Sequence, residues 1–328
     1  FRGFISLSGA NLGNGVAYIG DSAFEESGLT SIEIPDSVTE MGTYTILRWY
    51  SLTSAKRGNG MSVTGKNAFS GCISLTDVEF GSGIQAVGEY TFANTGLKNF
   101  RLPEGVTEIE TGAFYKCSEL TEISFPDSLT RIGDSAFENC TGLSTLTLES
   151  GVTEIGEDAF RGCAGLDTLT IRGNGAEIGA YAFSECAFLA SAKLDGVDVL
   201  GMHAFYDCGR LTSAELGVGL TEVGAYAFQG CVSLEAANVQ LAQSHEGYYR
   251  EAEGYKAYAV IYMLCQRYGV DVKGYDISRL DGVLQGQDPR EEVPAALTDM
   301  RDTFKEMNGR MARAMGLTRD SKQKEQER

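Results

Sequence analysis

Histidine is almost absent: His203 and His245 are the only two in 328 residues. His245-Glu246-Gly-Tyr-Tyr249 has the outline of a His-Glu-x-x-His zinc helix, but Tyr249 stands where the second ligand is needed. Gly-x-Ser-x-Gly, a phosphate loop and a dinucleotide fingerprint are all missing, so the common nucleophile and nucleotide motifs are excluded. No cofactor is expected, and no catalytic or metal-binding residue is assigned. No stretch of about 18 consecutive apolar residues occurs, so no membrane-spanning helix is expected. Basic residues are scarce where they would matter for nucleic acid. Residues 1–240 hold 13 Lys/Arg against 30 Asp/Glu, a net charge of −17, which repels a phosphate backbone. Residues 241–328 hold 14 against 15. Five prolines stand against 41 glycines, a balance that favours many tight turns over long helices. Phe1 opens the chain without a Met or a signal-peptide pattern and falls inside a repeat, so the natural protein is expected to continue upstream.

What is present is a period. Phenylalanine occurs at 1, 24, 69, 92, 114, 137, 160, 183, 205 and 228, every gap being 22 or 23 except the one that Ile46 fills in phase. A well-formed unit runs Phe137-Glu-Asn-Cys140-Thr-Gly-Leu143-Ser-Thr-Leu146-Thr-Leu148 and then Gly151-Val152-Thr-Glu-Ile155-Gly156-Glu-Asp-Ala159-Phe160. The Leu-x-x-Leu-x-Leu stretch alternates as a half-buried strand should. Gly or Pro-Asp turns the chain, a second short extended stretch follows, and the Ala-Phe pair plugs the interior from a corner. The glycine of the recurring Ile-Gly pair, as at Gly156, is expected to permit a sharp turn. One unit cannot bury its own apolar face, whereas stacked neighbours make one continuous core. The spacing therefore predicts a β-rich solenoid of parallel strands, about 11 units of 22–23 residues over 1–240.

The strand pattern Leu-x-x-Ile-x-[Phe/Leu/Ile]-Pro-[Asp/Glu], the step Val-Thr-x-Ile-Gly and the corner Ala-Phe-x-x-Cys resemble the BspA-like, bacterial surface-antigen type of leucine-rich repeat. Leu120 through Phe137 carries them. The resemblance implies a right-handed, curved leucine-rich-repeat solenoid that binds macromolecules rather than catalysing a reaction. Members sit on bacterial and parasite surfaces and bind host or matrix proteins, which implies the cell surface for this chain as well.

Seven cysteines (Cys72, Cys117, Cys140, Cys163, Cys186, Cys208, Cys231) occupy one slot of the repeat. A metal ladder, disulfides and a column of buried thiols are the three readings. The lack of any Cys-x-x-Cys pair and the presence of Phe4 and Trp49 in the same slot favour buried, reduced thiols. His203 lies in a corner where other units are read as placing Asp, Glu, Ala or Lys, and is expected on the surface.

Beyond residue 241 the pattern turns helical. Ala257, Val260, Ile261, Leu264 and Tyr268 share one helical face, and Pro294 opens a second helix with the seam Leu297, Met300, Phe304, Met307, Met311 and Ala314. Residues 241–328 are expected to be a small helical cap or module ending in a charged disordered tail. Residues Glu251 to Asp271, with Tyr275, are also similar to the closing part of zincin-like antirestriction-type domains of mobile elements. That likeness implies a cytoplasmic setting, and the alternative that the solenoid is the interaction domain of a larger enzyme.

The outward strand column is predicted as Asn11, Glu33, Lys56, Glu79, Arg101, Ser124, Thr147, Thr170, Lys193, Glu215 and Asn238, uncharged in its middle and mixed in charge toward both ends. Such a surface suits a protein or a glycan. The third unit, Ile46 to Ala68, breaks several rules. Ile46 replaces the corner Phe, Trp49 replaces the Cys, Arg57 takes an apolar strand position and Thr64 replaces the Ile before Gly65. Arg48, Lys56, Arg57 and Lys66 form a basic island on an acidic body. Departures from local rules gather at functional sites, and Trp, Tyr and Arg are favoured at hot spots. Arg48, Trp49, Tyr50, Lys56, Arg57, Glu79 and Arg101 are therefore the candidate binding residues. The competing reading is repeat decay, with Trp49 filling core space left by smaller neighbours.

Overall fold

A computed structural model of the chain describes residues 2–6, 10–217, 219–234 and 236–239. The helical cap, the zincin-like segment and the boundary after residue 240 lie outside the described residues. The described residues form strands β1–β17, arranged in two columns along a solenoid. One column holds β2 (Ser31–Ile34), β4 (Ser54–Arg57), β5 (Asp77–Glu79), β7 (Asn99–Arg101), β9 (Glu122–Ser124), β11 (Thr145–Leu148), β15 (Ser213–Leu216) and β17 (Ala236–Val239). The other holds β1 (Tyr18–Ile19), β3 (Glu40–Met41), β6 (Ala86–Val87), β8 (Glu108–Ile109), β10 (Arg131–Ile132), β12 (Glu154–Ile155) and β16 (Glu222–Val223). Strands β13 (Thr168–Ile178) and β14 (Ser191–Leu200) run through both. Pairing is parallel and follows the repeat, as in Thr145 with Thr168, Ser191 with Ser213, and Glu108 with Arg131. The parallel leucine-rich-repeat solenoid expected from the period is what the chain forms.

The long strands have a sequence cause. Arg172-Gly-Asn-Gly175 replaces the Pro-Asp turn, so nothing stops β13 after its first four residues. The extra residues are taken up as a register shift between Arg172 and Ala176. Gly196 on β14 has a φ of 74°, and a Cβ there would lie 1.9 Å from the Gly173 carbonyl oxygen, so only glycine fits.

The core is built column by column. Phe69, Phe92, Phe114, Phe137, Phe160, Phe183, Phe205 and Phe228 stack ring on ring, with centroids 5.0–5.5 Å apart. Strand residues such as Leu146, Leu148, Leu169 and Ile171 close the interior from the sheet side. The corner that aims each Phe inward is a pair of left-handed residues two positions before and two after it. Around Phe137 these are Ser135 (φ 52°) and Asn139 (φ 61°). Non-glycine residues resist this conformation by about 1–2 kcal/mol each. Here the cost is offset by bonds to the next unit: Ser135 N–H donates to the Glu157 carbonyl at 2.8 Å and Asn139 N–H to that of Arg161 at 2.7 Å.

The glycine of the Ile-Gly pair does not serve as a turn. Gly133, Gly156, Gly179, Gly201 and Gly224 lack positive φ, but a Cβ at Gly224 would meet backbone of the preceding unit at 2.4 Å and one at Gly179 at 2.6 Å. These positions are glycine because successive units touch there.

Candidate binding surface

The cysteine slot sets the pattern from which the third unit departs. Each of the seven thiols donates to the carbonyl of the corner residue one unit earlier, from Cys72 to Ile46 at 3.1 Å through Cys140 to Phe114 at 3.1 Å and Cys231 to Phe205 at 3.1 Å. Thr95 fills the slot in its unit, with its hydroxyl 2.9 Å from the Phe92 carbonyl. The slot therefore takes a small residue with a donor, and all seven cysteines are buried free thiols. Burial pushes the Cys72 and Cys163 thiols up to about 12 and Cys117 up to about 11. Such thiols stay protonated and inert in the folded chain. Ellman's reagent is accordingly expected to find none of the seven in the native protein. After denaturation without reductant all of them should react; a shortfall would mean that disulfides had formed.

Trp49 obeys the same rule. Its indole N–H donates to the carbonyl of Phe24, the corner residue one unit earlier, and the side chain is completely buried. Ile46 leaves a gap in the ring stack, and the indole fills it by meeting Phe24 edge-on at 5.8 Å. Trp49 is thus core, and the binding role expected of it is corrected: its indole is not available to a partner.

Arg57 is corrected for a similar reason. It stands in the inward column of β4 between Ile34 and Phe80, with only 3% of its surface exposed. One guanidinium nitrogen donates to the Met61 carbonyl at 2.7 Å, and the group lies 5.9 Å from the centre of the Phe80 ring. Nε and Nη1 have no partner among the described residues. Burial pulls the guanidinium down to about 10. Nearby, Thr64 and Thr91 replace apolar residues as a bonded pair: their hydroxyls lie 2.7 Å apart, Gly88 N–H donates to Thr64 at 2.6 Å, and Thr91 donates to the Gly65 carbonyl at 3.0 Å. The rule-breaking third unit is therefore in large part an internal rearrangement.

The remaining candidates are at the surface but not in one place. Glu33, Lys56 and Glu79 sit side by side in register on β2, β4 and β5, with Lys56 4.0 Å from Glu33. Arg101 lies on β7, in a separate two-stranded sheet with β9, and reaches Glu104 at 4.0 Å. Lys66 is paired with Glu89. Arg48 holds one of the left-handed corner positions (φ 58°), is exposed, and makes no ion pair among the described residues. Its Cγ would lie 3.1 Å from a Cβ built on Gly71, so its stem crosses the next unit where that unit has no side chain. Tyr50 is 57% exposed, and Ile73, in the same slot one unit later, is 52% exposed. Arg48, Tyr50 and Ile73 are thus an exposed cation, aromatic and aliphatic in two adjacent units; Ile73 is not legible from the sequence because its exposure depends on the slot and not on its chemistry.

His203 is also corrected. It is half-buried rather than on the surface, stacked between Tyr181 at 4.8 Å and Tyr226 at 5.1 Å with Tyr206 edge-on at 5.2 Å. Its counterparts in other units are Ser22, Tyr44, Asn67, Tyr90 and Asp158, the left-handed corner column. Burial lowers its pKa, so the fold favours neutral imidazole. Stability from this group is complete well above pH 6.5 and is lost as pH falls through the unfolded value toward the folded one. His203→Tyr is expected to lose less thermal stability than the wild type between pH 7.5 and about pH 5; equal losses would show that the imidazole is not excluded from protonation. No group of three or more His, Cys, Asp or Glu arranged for a metal occurs among the described residues.

With these geometries in view, residues 1–121 and 107–235 both match the pattern described as the BspA type Leucine rich repeat region, in six copies. The chain belongs to the BspA-type leucine-rich repeat family. A solved leucine-rich repeat protein from Bacteroides ovatus is 28% identical, with a TM-score of 0.56, over 71% of this chain and 67% of that one. The leucine-rich repeat protein of T. pallidum is 25% identical over 66% of this chain and 82% of its own, with a TM-score of 0.42. A leucine-rich cell surface protein from Faecalibacterium prausnitzii is 22% identical over 71% and 85%, with a TM-score of 0.37. No curated protein matches the chain. The BspA-type solenoid is a fold typical of protein-binding modules, and no helix among its described residues is long and apolar enough to cross a membrane.

Proposed function

We propose that this BspA-type solenoid is a non-enzymatic module that docks a protein on the edge formed by Arg48, Tyr50 and Ile73, with the strand-face residues Lys56, Glu79 and Arg101 outside it. The observation that carries the reading is the recurrence of Tyr50 and Ile73 in one slot of adjacent units, both more than half exposed, with the exposed Arg48 two residues before Tyr50 and without an ion-pair partner among the described residues. An exposed aromatic beside an aliphatic and an arginine is the composition of an interface hot spot. Arg48 also adds attraction for an acidic partner segment on a body that otherwise repels one.

Peptides selected from a random library on the full chain test this. Arg48→Ala with Tyr50→Ala is expected to weaken those peptides by at least about tenfold, the loss of one modest hot spot. The melting temperature should change little, because both residues are exposed. Peptides that bind the double variant as tightly as the wild type would place docking elsewhere. Stoichiometric zinc in the purified chain would contradict the non-enzymatic part of the reading.

A further inference from the structure

The strand face of the other half of the solenoid has a different chemistry. On β11 and β13, Thr145 pairs in register with Thr168, and Thr147 with Thr170. Ser191 on β14 and Ser213 on β15 extend the first row. Rungs of a parallel sheet lie about 4.8 Å apart, and alternate residues on one strand about 6.7 Å apart, so the hydroxyls form a flat grid. All six side chains are exposed or half-exposed.

These hydroxyls are uncommitted, unlike the threonines that tie one unit to the next, and they are gathered in two rows here, whereas Ser31 and Ser54 form a single uncommitted pair on the other half. Thr121 donates to the Lys98 carbonyl at 3.2 Å, Thr130 to Thr107 at 3.0 Å, Thr153 to Thr130 at 3.3 Å and Thr212 to Ala190 at 3.0 Å, each tying its unit to the one before. The hydroxyls of Thr145, Thr147, Thr168, Thr170, Ser191 and Ser213 bond to nothing among the described residues. Each offers one donor and two acceptors outward.

The second row continues into Lys193 on β14 and Glu215 on β15, and the charges in and beside the corridor cancel locally. Arg172 meets Glu149 at 2.9 Å, and Lys193 lies 3.4 Å from Asp195 and 3.8 Å from Glu215. The large apolar side chains exposed on this half, Phe188, Met202, Tyr226 and Val232, all lie outside the strand positions that form the grid. The grid therefore lacks the desolvated anchors on which a protein interface depends. β13 and β14, which carry its centre, are also the two strands that continue without a corner into the second column, making this the widest continuous part of the sheet.

We propose that the β11–β15 face is a docking corridor for an uncharged glycan chain. A polyhydroxylated chain matches the grid donor for acceptor, and its lack of charge suits a neutral strip on a body of net charge −17. The corridor is separate from the Arg48–Tyr50–Ile73 edge and stands or falls without it.

The test is native affinity electrophoresis of the full chain in gels containing a neutral α-glucan, a β-1,3-glucan, a mannan or a galactan. At least one is expected to slow the chain. Thr147→Val with Thr170→Val, which keeps the branched shape and removes two hydroxyls, is expected to weaken that retardation at least about tenfold at an unchanged melting temperature. Thr121→Val, which removes a committed hydroxyl, should leave retardation intact. The proposal is overturned if none of the four polysaccharides slows the chain, or if the double variant is slowed as much as the wild type. It is equally overturned if library-selected peptides lose their affinity for the double variant, which would make this face a protein surface.

Discussion

Trp49→Ala is expected to lower the free energy of unfolding by about 3–5 kcal/mol, the usual cost of emptying a large aromatic site in a packed core. Three losses coincide at this position. The indole leaves a cavity beside Ile46, Phe24 loses its edge-on partner, and the Phe24 carbonyl loses one of its two donors, keeping only the Ser27 N–H at 3.2 Å. Trp49→Phe should retain roughly half of the stability lost in the alanine variant, since it keeps a ring and drops the hydrogen bond. Urea unfolding followed by far-ultraviolet circular dichroism reads both. An alanine variant within about 1 kcal/mol of the wild type would mean that the indole is not a core group.

Arg57→Leu should act in the opposite direction. The column above and below holds Ile34 and Phe80, and the guanidinium between them has one hydrogen-bond acceptor and two buried nitrogens without partners among the described residues. Replacing an incompletely satisfied buried ion by an apolar residue of similar volume is often stabilising by about 1–4 kcal/mol. Leucine restores the repeat pattern at that slot. Arg57→Glu is expected to destabilise strongly, because a carboxylate would face the Met61 carbonyl in a site with no described donor for it. If Arg57→Leu lowers stability, the Met61 bond and the Phe80 contact outweigh the desolvation of the guanidinium. The reversed pair Lys56→Glu, Arg57→Glu is thus unsuitable as a binding probe: any loss would report collapse of the rung and not of a surface.

The solenoid was legible because its information is repeated. A phenylalanine every 22 or 23 residues, a Leu-x-x-Leu-x-Leu strand and a recurring Ile-Gly step each specify an inward position that no single unit can bury. The seven-cysteine slot and its preference for buried thiols followed from the same phase. The meaning of the Ile-Gly glycines was not legible, because a sequence shows that glycine is required without showing whether φ or a neighbouring backbone requires it. The left-handed corner residues were hidden for a related reason: Glu26, Arg48, Lys116 and Glu185 are poor residues for that conformation, and only the bonds between units hold them there.

The candidate site was half legible. Phase alone placed Arg57 in the slot of Phe125 and Trp49 in the slot of a cysteine, which was the signal that both point inward. Phase supports the repeat-decay reading, in which Trp49 fills core space, whereas polarity and rarity alone point to the surface. His203 followed the same course. Its in-phase neighbours Tyr181 and Tyr226 are visible at the repeat spacing, and they predict a ring stack once the columns are aligned correctly. Exposure of Tyr50 and Ile73 needed the fold, because the residue after the cysteine slot is glycine, serine, threonine or alanine in most other units.

The most direct test of the account is a hydrogen-exchange footprint of a library-selected peptide on the full-length wild-type chain. Protection centred on residues 48–52 and 71–77, falling off toward the units on either side, is the result the account predicts. Protection that leaves both segments unchanged and appears elsewhere on the solenoid would contradict it.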